Sequence, residues 1–164
     1  MNIIRWIVNL FGKKRESTSP TLSQTLHSTH VKAPVADIQD EEAAGLNFKT
    51  AIEAHQKWKA RLKDVIEGNS SETLDVSMIC RDDQCLLGKW IHGDGGKQFG
   101  VLNEFIELQK NHANFHKCAG HVLELAQAGK KSEADQNLSV GPYAQVSLQV
   151  VMNLAAMYTK VKKK

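Results

Sequence analysis

Val101-Leu-Asn-Glu-Phe-Ile-Glu-Leu-Gln-Lys-Asn-His-Ala-Asn-Phe-His-Lys-Cys-Ala-Gly-His-Val-Leu-Glu-Leu-Ala126 is the stretch on which the fold turns. Val101, Phe105, Leu108, His112, Phe115, Ala119, Val122 and Ala126 advance by steps of four and three without a break, as one face of an α-helix does. The spacing predicts a helix over about 100–128 with Gly129 as its terminator. Upstream, Phe48, Ile52, His55, Trp58 or Lys59, Leu62 and Val65 or Ile66 trace a second such face, a helix over about 41–67 ended by Gly68-Asn69. Downstream, Ser132-Glu-Ala-Asp offers a cap with acidic residues in the first turn, and Gly141-Pro142 should kink or divide the helix it starts. Beyond the proline, Tyr143, Val146, Val150, Leu154, Met157 and Val161 resume the same stepping.

Between the first two helices the pattern is mixed. Asp82-Asp83 is expected to cap a short helix carrying Cys85-Leu-Leu-Gly-Lys-Trp-Ile91, and Gly93-Asp-Gly-Gly96 reads as a loop. No alternating strand pattern is present. The expected fold is all-α: an antiparallel four-helix bundle over residues 41–164 with a short Cys-bearing helix, preceded by a flexible N-terminal tail.

That tail divides in two. Residues 1–15 place Ile3, Ile4, Ile7, Val8, Leu10 and Phe11 on a broad apolar face, followed by Lys13, Lys14 and Arg15. The stretch is about half of the roughly 20 residues a spanning helix needs, and Arg5 and Asn9 interrupt it. It reads as an amphipathic helix for peripheral contact with an anionic membrane surface, or else as a docking segment for a partner protein. Residues 16–40 are rich in Ser, Thr, Pro and charge, carry no apolar period, and read as a flexible linker holding His27 and His30.

Composition narrows the function. Lys and Arg total 21 against 18 Asp and Glu, and this small excess clusters at the chain ends without interleaved aromatics, which excludes nucleic acid as the expected partner. Three cysteines, Cys80, Cys85 and Cys118, cannot all pair within the chain, and a reducing, cytoplasmic setting follows.

Two of the apolar faces contain histidine where a bundle normally places leucine. His55 lies on the inward face of the first helix, His112 lies mid-face on the long one, and His116 follows one turn later on the same side. A buried imidazole nitrogen left without a partner costs roughly 1–3 kcal/mol, so three of them ask for a common explanation. Adding the thiolate of Cys85 completes a tetrahedral set of borderline-soft donors, the environment that Zn2+ favours. Second-shell acceptors for the ring N–H groups are then expected, though the sequence does not identify them. A di-iron site is disfavoured, because Ile52, Gln109 and Ala113 stand where Glu-x-x-His pairs would place glutamate. Hydrolase and deaminase zinc motifs are missing as well, and four protein ligands leave no open position for a reactive water, so no enzymatic activity is expected. Cys80, Cys118, His92 and His121 read as non-ligands, and Trp58 and Trp90 as packing around the site.

His55-Gln-Lys-Trp-Lys-Ala-Arg-Leu62, Cys85-Leu-Leu-Gly-Lys-Trp-Ile91 and His112-Ala-Asn-Phe-His116 together resemble the three signature blocks of the chemoreceptor zinc-binding domain, over nearly everything after the linker. The resemblance implies a four-helix bundle binding one zinc through His55, Cys85, His112 and His116. It further implies a sensory module of bacterial signal transduction that tends to form a homodimer and serves chemoreceptor or diguanylate cyclase pathways. In some members the zinc-bound cysteine senses oxidants such as hypochlorous acid. The expected function is therefore zinc or oxidant sensing at a cytoplasmic location, with residues 1–15 holding the chain to the inner face of the membrane. The competing expectation is a zinc-stabilised scaffold or adaptor tethered at that surface.

Overall fold

The computed structural model describes residues 42–162, so the segments 1–15 and 16–40 with their predicted roles lie outside the described residues. The first feature is a small antiparallel hairpin, β1 (Glu42–Ala43) and β2 (Leu46–Asn47). Helix was expected from residue 41 onward; the hairpin displaces it because Ala44 (φ 48°) and Gly45 (φ 79°) both take the left-handed backbone of a two-residue turn. Asn47 then supplies the helix start, its side chain accepting from Thr50 N at 2.9 Å. Helix α1 (Phe48–Glu67) buries Phe48, Ala51, Ile52, His55, Leu62 and Ile66, and stops where Gly68 turns left-handed.

Three short helices cross to the next long one: α2 (Val76–Ile79), α3 (Leu86–His92) and α4 (Asp94–Phe99). Two expectations fail here. Gly93–Gly96 is not simply a loop, because α4 runs through it: a β-carbon on Gly95 would lie 2.4 Å from the Trp90 indole, so the glycine serves close packing. The Asp82-Asp83 pair does not cap α3 either. Cys85 is the cap residue, its sulfur accepting from Gly88 N at 3.3 Å.

Helix α5 (Asn103–Gln127) is the long central element; Val101, predicted on its inward face, lies before it and is exposed. Gly129 closes α5 as predicted, with φ 74° and its N–H on Ala126 O at 3.0 Å. Helix α6 (Lys131–Ser139) starts without the side-chain cap expected of Ser132. Gly141-Pro142 divides the chain as expected, since a proline lacks the N–H to continue a helix, and α7 (Pro142–Lys162) begins at the ring. Helix α7 packs along α5, and α1 packs on α5, α6 and α7, so the domain is all-helical apart from the hairpin. The core holds Phe48, Phe115 and Tyr143 fully buried, with Trp90 against Phe48, Phe99 and Phe105. Trp90 Nε1 donates to Ala43 O at 3.0 Å, which ties the hairpin to α3.

The tightest approach in the fold sits beside Cys85. A β-carbon on Gly88 would fall 1.7 Å from the Asp82 carbonyl oxygen, so this position of α3 tolerates no side chain. Gly88→Ala is therefore expected to destabilise the domain by about 1–3 kcal/mol, as overpacked sites do, read as a lowered urea midpoint. A wild-type midpoint would show that the loop and α3 are not held together as described.

Candidate metal centre

Each element positions its candidate ligand for a local reason. His55 lies mid-face on α1 and His112 and His116 share one face of α5, a turn apart, with all three imidazoles buried. Cys85 is half-buried at the start of α3, where the close packing of Gly88 on the Asp82 carbonyl fixes its backbone.

Cys85 Sγ lies 3.3 Å from His112 Nε2. Donor atoms of Cys85, His112 and His116 all fall within 4.8 Å of one another. Zinc bonds of about 2.3 Å to sulfur and about 2.0–2.1 Å to nitrogen, opened to a tetrahedral angle, put the two donors about 3.5 Å apart. The observed pair is close to that separation. His55 stands next to the trio, its ring centroid 5.3 Å from that of His112 and 4.9 Å from that of Phe115.

The hydrogen bonds decide which nitrogens are free. His55 Nδ1 lies 3.0 Å from Ala51 O, and His116 Nδ1 lies 2.7 Å from Ile79 O. A carbonyl only accepts, so each Nδ1 carries the hydrogen and donates, which leaves each Nε2 a bare lone pair. Those two Nε2 atoms are buried with no hydrogen-bond partner. The Ala51 and Ile79 carbonyls thus hold the ring N–H groups of His55 and His116, acceptors that the sequence could not name. His112 has the opposite arrangement: its Nε2 faces the sulfur and its buried Nδ1 has no partner.

Electrostatics keep the rings neutral. Burial, partly offset by the Ala51 carbonyl, lowers the His55 pKa to about 4. Burial, and then the neighbouring His116, His55 and His92, lowers that of His112 to about 2. Burial also lowers His116, against the pull of the Ile79 carbonyl and of Asp82 and Asp83. The Cys85 thiol is pushed up, chiefly by burial, with the N–H groups of Gly88 and Leu87 opposing. Three neutral imidazoles beside a thiol that needs a cation to ionise are a donor set that fits Zn2+.

The comparison with known families agrees. Residues 55–123 match the chemoreceptor zinc-binding domain. The match opens on His55 and runs past His116, so it encloses all four sequence-predicted ligands. No curated protein and no solved structure matches the chain.

Other residues singled out in the sequence fall away from the centre. His92 Nε2 pairs with Asp82 Oδ2 at 3.0 Å, and His121 is exposed beside Glu124. Cys80 is exposed, with its sulfur filling the space over Gly120, and Cys118 is half-buried. Trp90 packs in the core as expected, whereas Trp58 is only half-buried beneath the Arg61 guanidinium, 4.2 Å from its ring. Sequence reasoning missed Ala51 O and Ile79 O, because a backbone carbonyl leaves no residue-type signature.

Stability without metal should depend on pH in a definite direction. In the unfolded chain histidine takes up its proton near the ordinary value of 6.5, whereas folded His55 resists until about 4. Between those values the unfolded state binds more protons, so stability is full above the upper value and falls as pH drops through the window. Chelator-treated protein should show a urea midpoint that declines steadily across this range; a flat profile would mean that the rings are not held neutral in the fold.

Proposed function

We propose that this domain is a zinc-binding sensory or regulatory module of bacterial signal transduction, reading zinc, oxidant or both through a site of three histidines and one cysteine. The observation that carries the reading is the sulfur of Cys85, the cap residue of short helix α3, 3.3 Å from a fully buried His112. His55 is assigned as the fourth ligand, because its buried Nε2 has no partner and its ring adjoins that of His112. When bound, the ion joins α1, α3 and α5 through these four side chains.

Cys85 is the one ligand whose donor state chemistry can change. A hydroperoxide-class oxidant transfers one oxygen atom to the thiolate, giving sulfenate and leaving as water or an alcohol. The sulfur then ceases to tie α3, and a two-state element shifts by the difference in affinity between its states. With four protein ligands no open position remains for a reactive water, so the proposed role is non-catalytic.

The wider reading takes α1, α5, α6 and α7 as an antiparallel four-helix bundle. Asn111–Asn153 at 2.8 Å and Lys160–Glu104 at 3.0 Å support it by pairing α5 with α7 in opposite directions. Exposed Leu148 and Met152 on α7 support a homodimer contact. We place the protein in the cytoplasm, peripheral to the membrane through residues 1–15, with a chemoreceptor or diguanylate cyclase pathway as its partner; no helix among the described residues is long and apolar enough to cross a membrane. The second reading, a zinc-stabilised scaffold, draws support from the depth of the imidazoles in the core.

Elemental analysis of the purified full chain tests the site. The expected result is one zinc per chain, lost in Cys85→Ala and His112→Ala and weakened about tenfold or more in His55→Ala, with far-UV circular dichroism largely retained. Unfolding of Cys85→Ala would favour the scaffold, and zinc retained at wild-type stoichiometry in Cys85→Ala would remove the sulfur from the site.

A further inference from the structure

A cavity of about 460 Å³ lies between the β1–β2 hairpin, α1 and α3, and two of its wall residues are His55 and Cys85. His112 and His116 do not line it and are buried within the core, so among the described residues the centre meets this open space from the α1–α3 side. Leu87 and Trp90, both buried, form an apolar floor beside the sulfur. Thr50 and Ala54 on one side and the exposed Leu86 on the other stand at the mouth. Leu86 follows Cys85 directly at the start of α3, is 70% exposed and lines the same cavity.

We propose that this cavity is the port through which small solutes reach the metal ligands, and that it admits uncharged molecules in preference to anions. This rests on Cys85 belonging to the zinc site for its meaning, though not for its test. The charge preference follows from the wall. Its two charged residues, Glu42 and Arg61, are opposite in sign; Glu72 engages one terminal nitrogen of the Arg61 guanidinium, which stacks over Trp58, while its buried Nε has no partner. An entering anion therefore exchanges water for a mostly apolar wall on which Arg61 is shared with Glu72 and Glu42 repels it. An uncharged solute of the same size loses much less. The mouth residues thus govern how fast the sulfur reacts and how fast a bound ion is lost, while leaving the ligand set itself untouched.

Alkylation of the zinc-free full chain reads the port directly. Iodoacetamide and iodoacetate perform the same step: the sulfur forms a bond to carbon, iodide leaves, and the thiol proton passes to solvent. Peptide mass spectrometry follows Cys85, with the exposed Cys80 of the same chain as internal reference. The iodoacetamide to iodoacetate rate ratio at Cys85 is expected to exceed that at Cys80 by about tenfold, a small part of the full cost of desolvating an anion because an entering anion keeps part of its water. Ala54→Trp should slow Cys85 severalfold and Leu86→Ala should quicken it, with Cys80 unchanged in both. In zinc-loaded protein the same variants should shift the rate of zinc transfer to a chelator in the same directions at unchanged equilibrium affinity. Equal ratios at the two cysteines, or wild-type Cys85 rates in both variants, would overturn the port. Zinc-free protein that takes up no metal would sink the metal reading and leave the alkylation result standing.

Discussion

Three neutral imidazoles inside an apolar core impose the constraint on which the rest of this domain depends. Each presents a nitrogen to a region that water does not reach, and an unsatisfied buried acceptor costs about 1–3 kcal/mol. His55 and His116 have spent their donors on backbone carbonyls, so what remains toward the centre is two bare lone pairs, with the His112 ring turned to a thiol. Protonation would resolve the shortage of partners only by placing charge in the core, which burial resists. A divalent cation resolves it without that cost, and it supplies the positive charge that the Cys85 thiol needs to ionise.

The sulfur reaches the imidazoles because the backbone is allowed unusually close to itself. The Asp82 carbonyl occupies the space a β-carbon would take on Gly88, and the Trp90 indole occupies that of Gly95. These two approaches seat α3 with its first turn toward α5, so that Gly88 N and Cys85 Sγ meet at the helix start. The Asp82 carboxylate then fixes the far end of the same helix through His92. The cluster of Cys85, His112 and His116 consequently depends on the seating of one short helix, α3.

Much of this was legible in the residue pattern. Steps of three and four placed α1, α5 and α7 and put His55, His112 and His116 on inward faces, where the structure buries all three. The terminators Gly68 and Gly129 and the break at Gly141-Pro142 stand where their backbone chemistry demands. Glycines whose job is packing were another matter. Gly93–Gly96 carries the composition of a loop and leads into α4, because its glycines meet close neighbours: the Trp90 indole at Gly95 and the Lys89 and Ile91 carbonyls at Gly93 and Gly96. Likewise Asp82-Asp83 has the chemistry of a cap, yet the cap is a cysteine sulfur, a weak acceptor that periodicity does not flag. The hairpin at 42–47 escaped because strands of two residues are too short to alternate. The cavity beside Cys85 was invisible for a further reason: open space has no sequence.

Sulfur and nitrogen must share one ion for any of this to hold. X-ray absorption at the zinc edge of the metal-loaded chain measures that directly. The expected spectrum contains one sulfur at about 2.3 Å and three nitrogens at about 2.0–2.1 Å, with imidazole multiple scattering. A first shell of nitrogen and oxygen alone, with no sulfur, would contradict it.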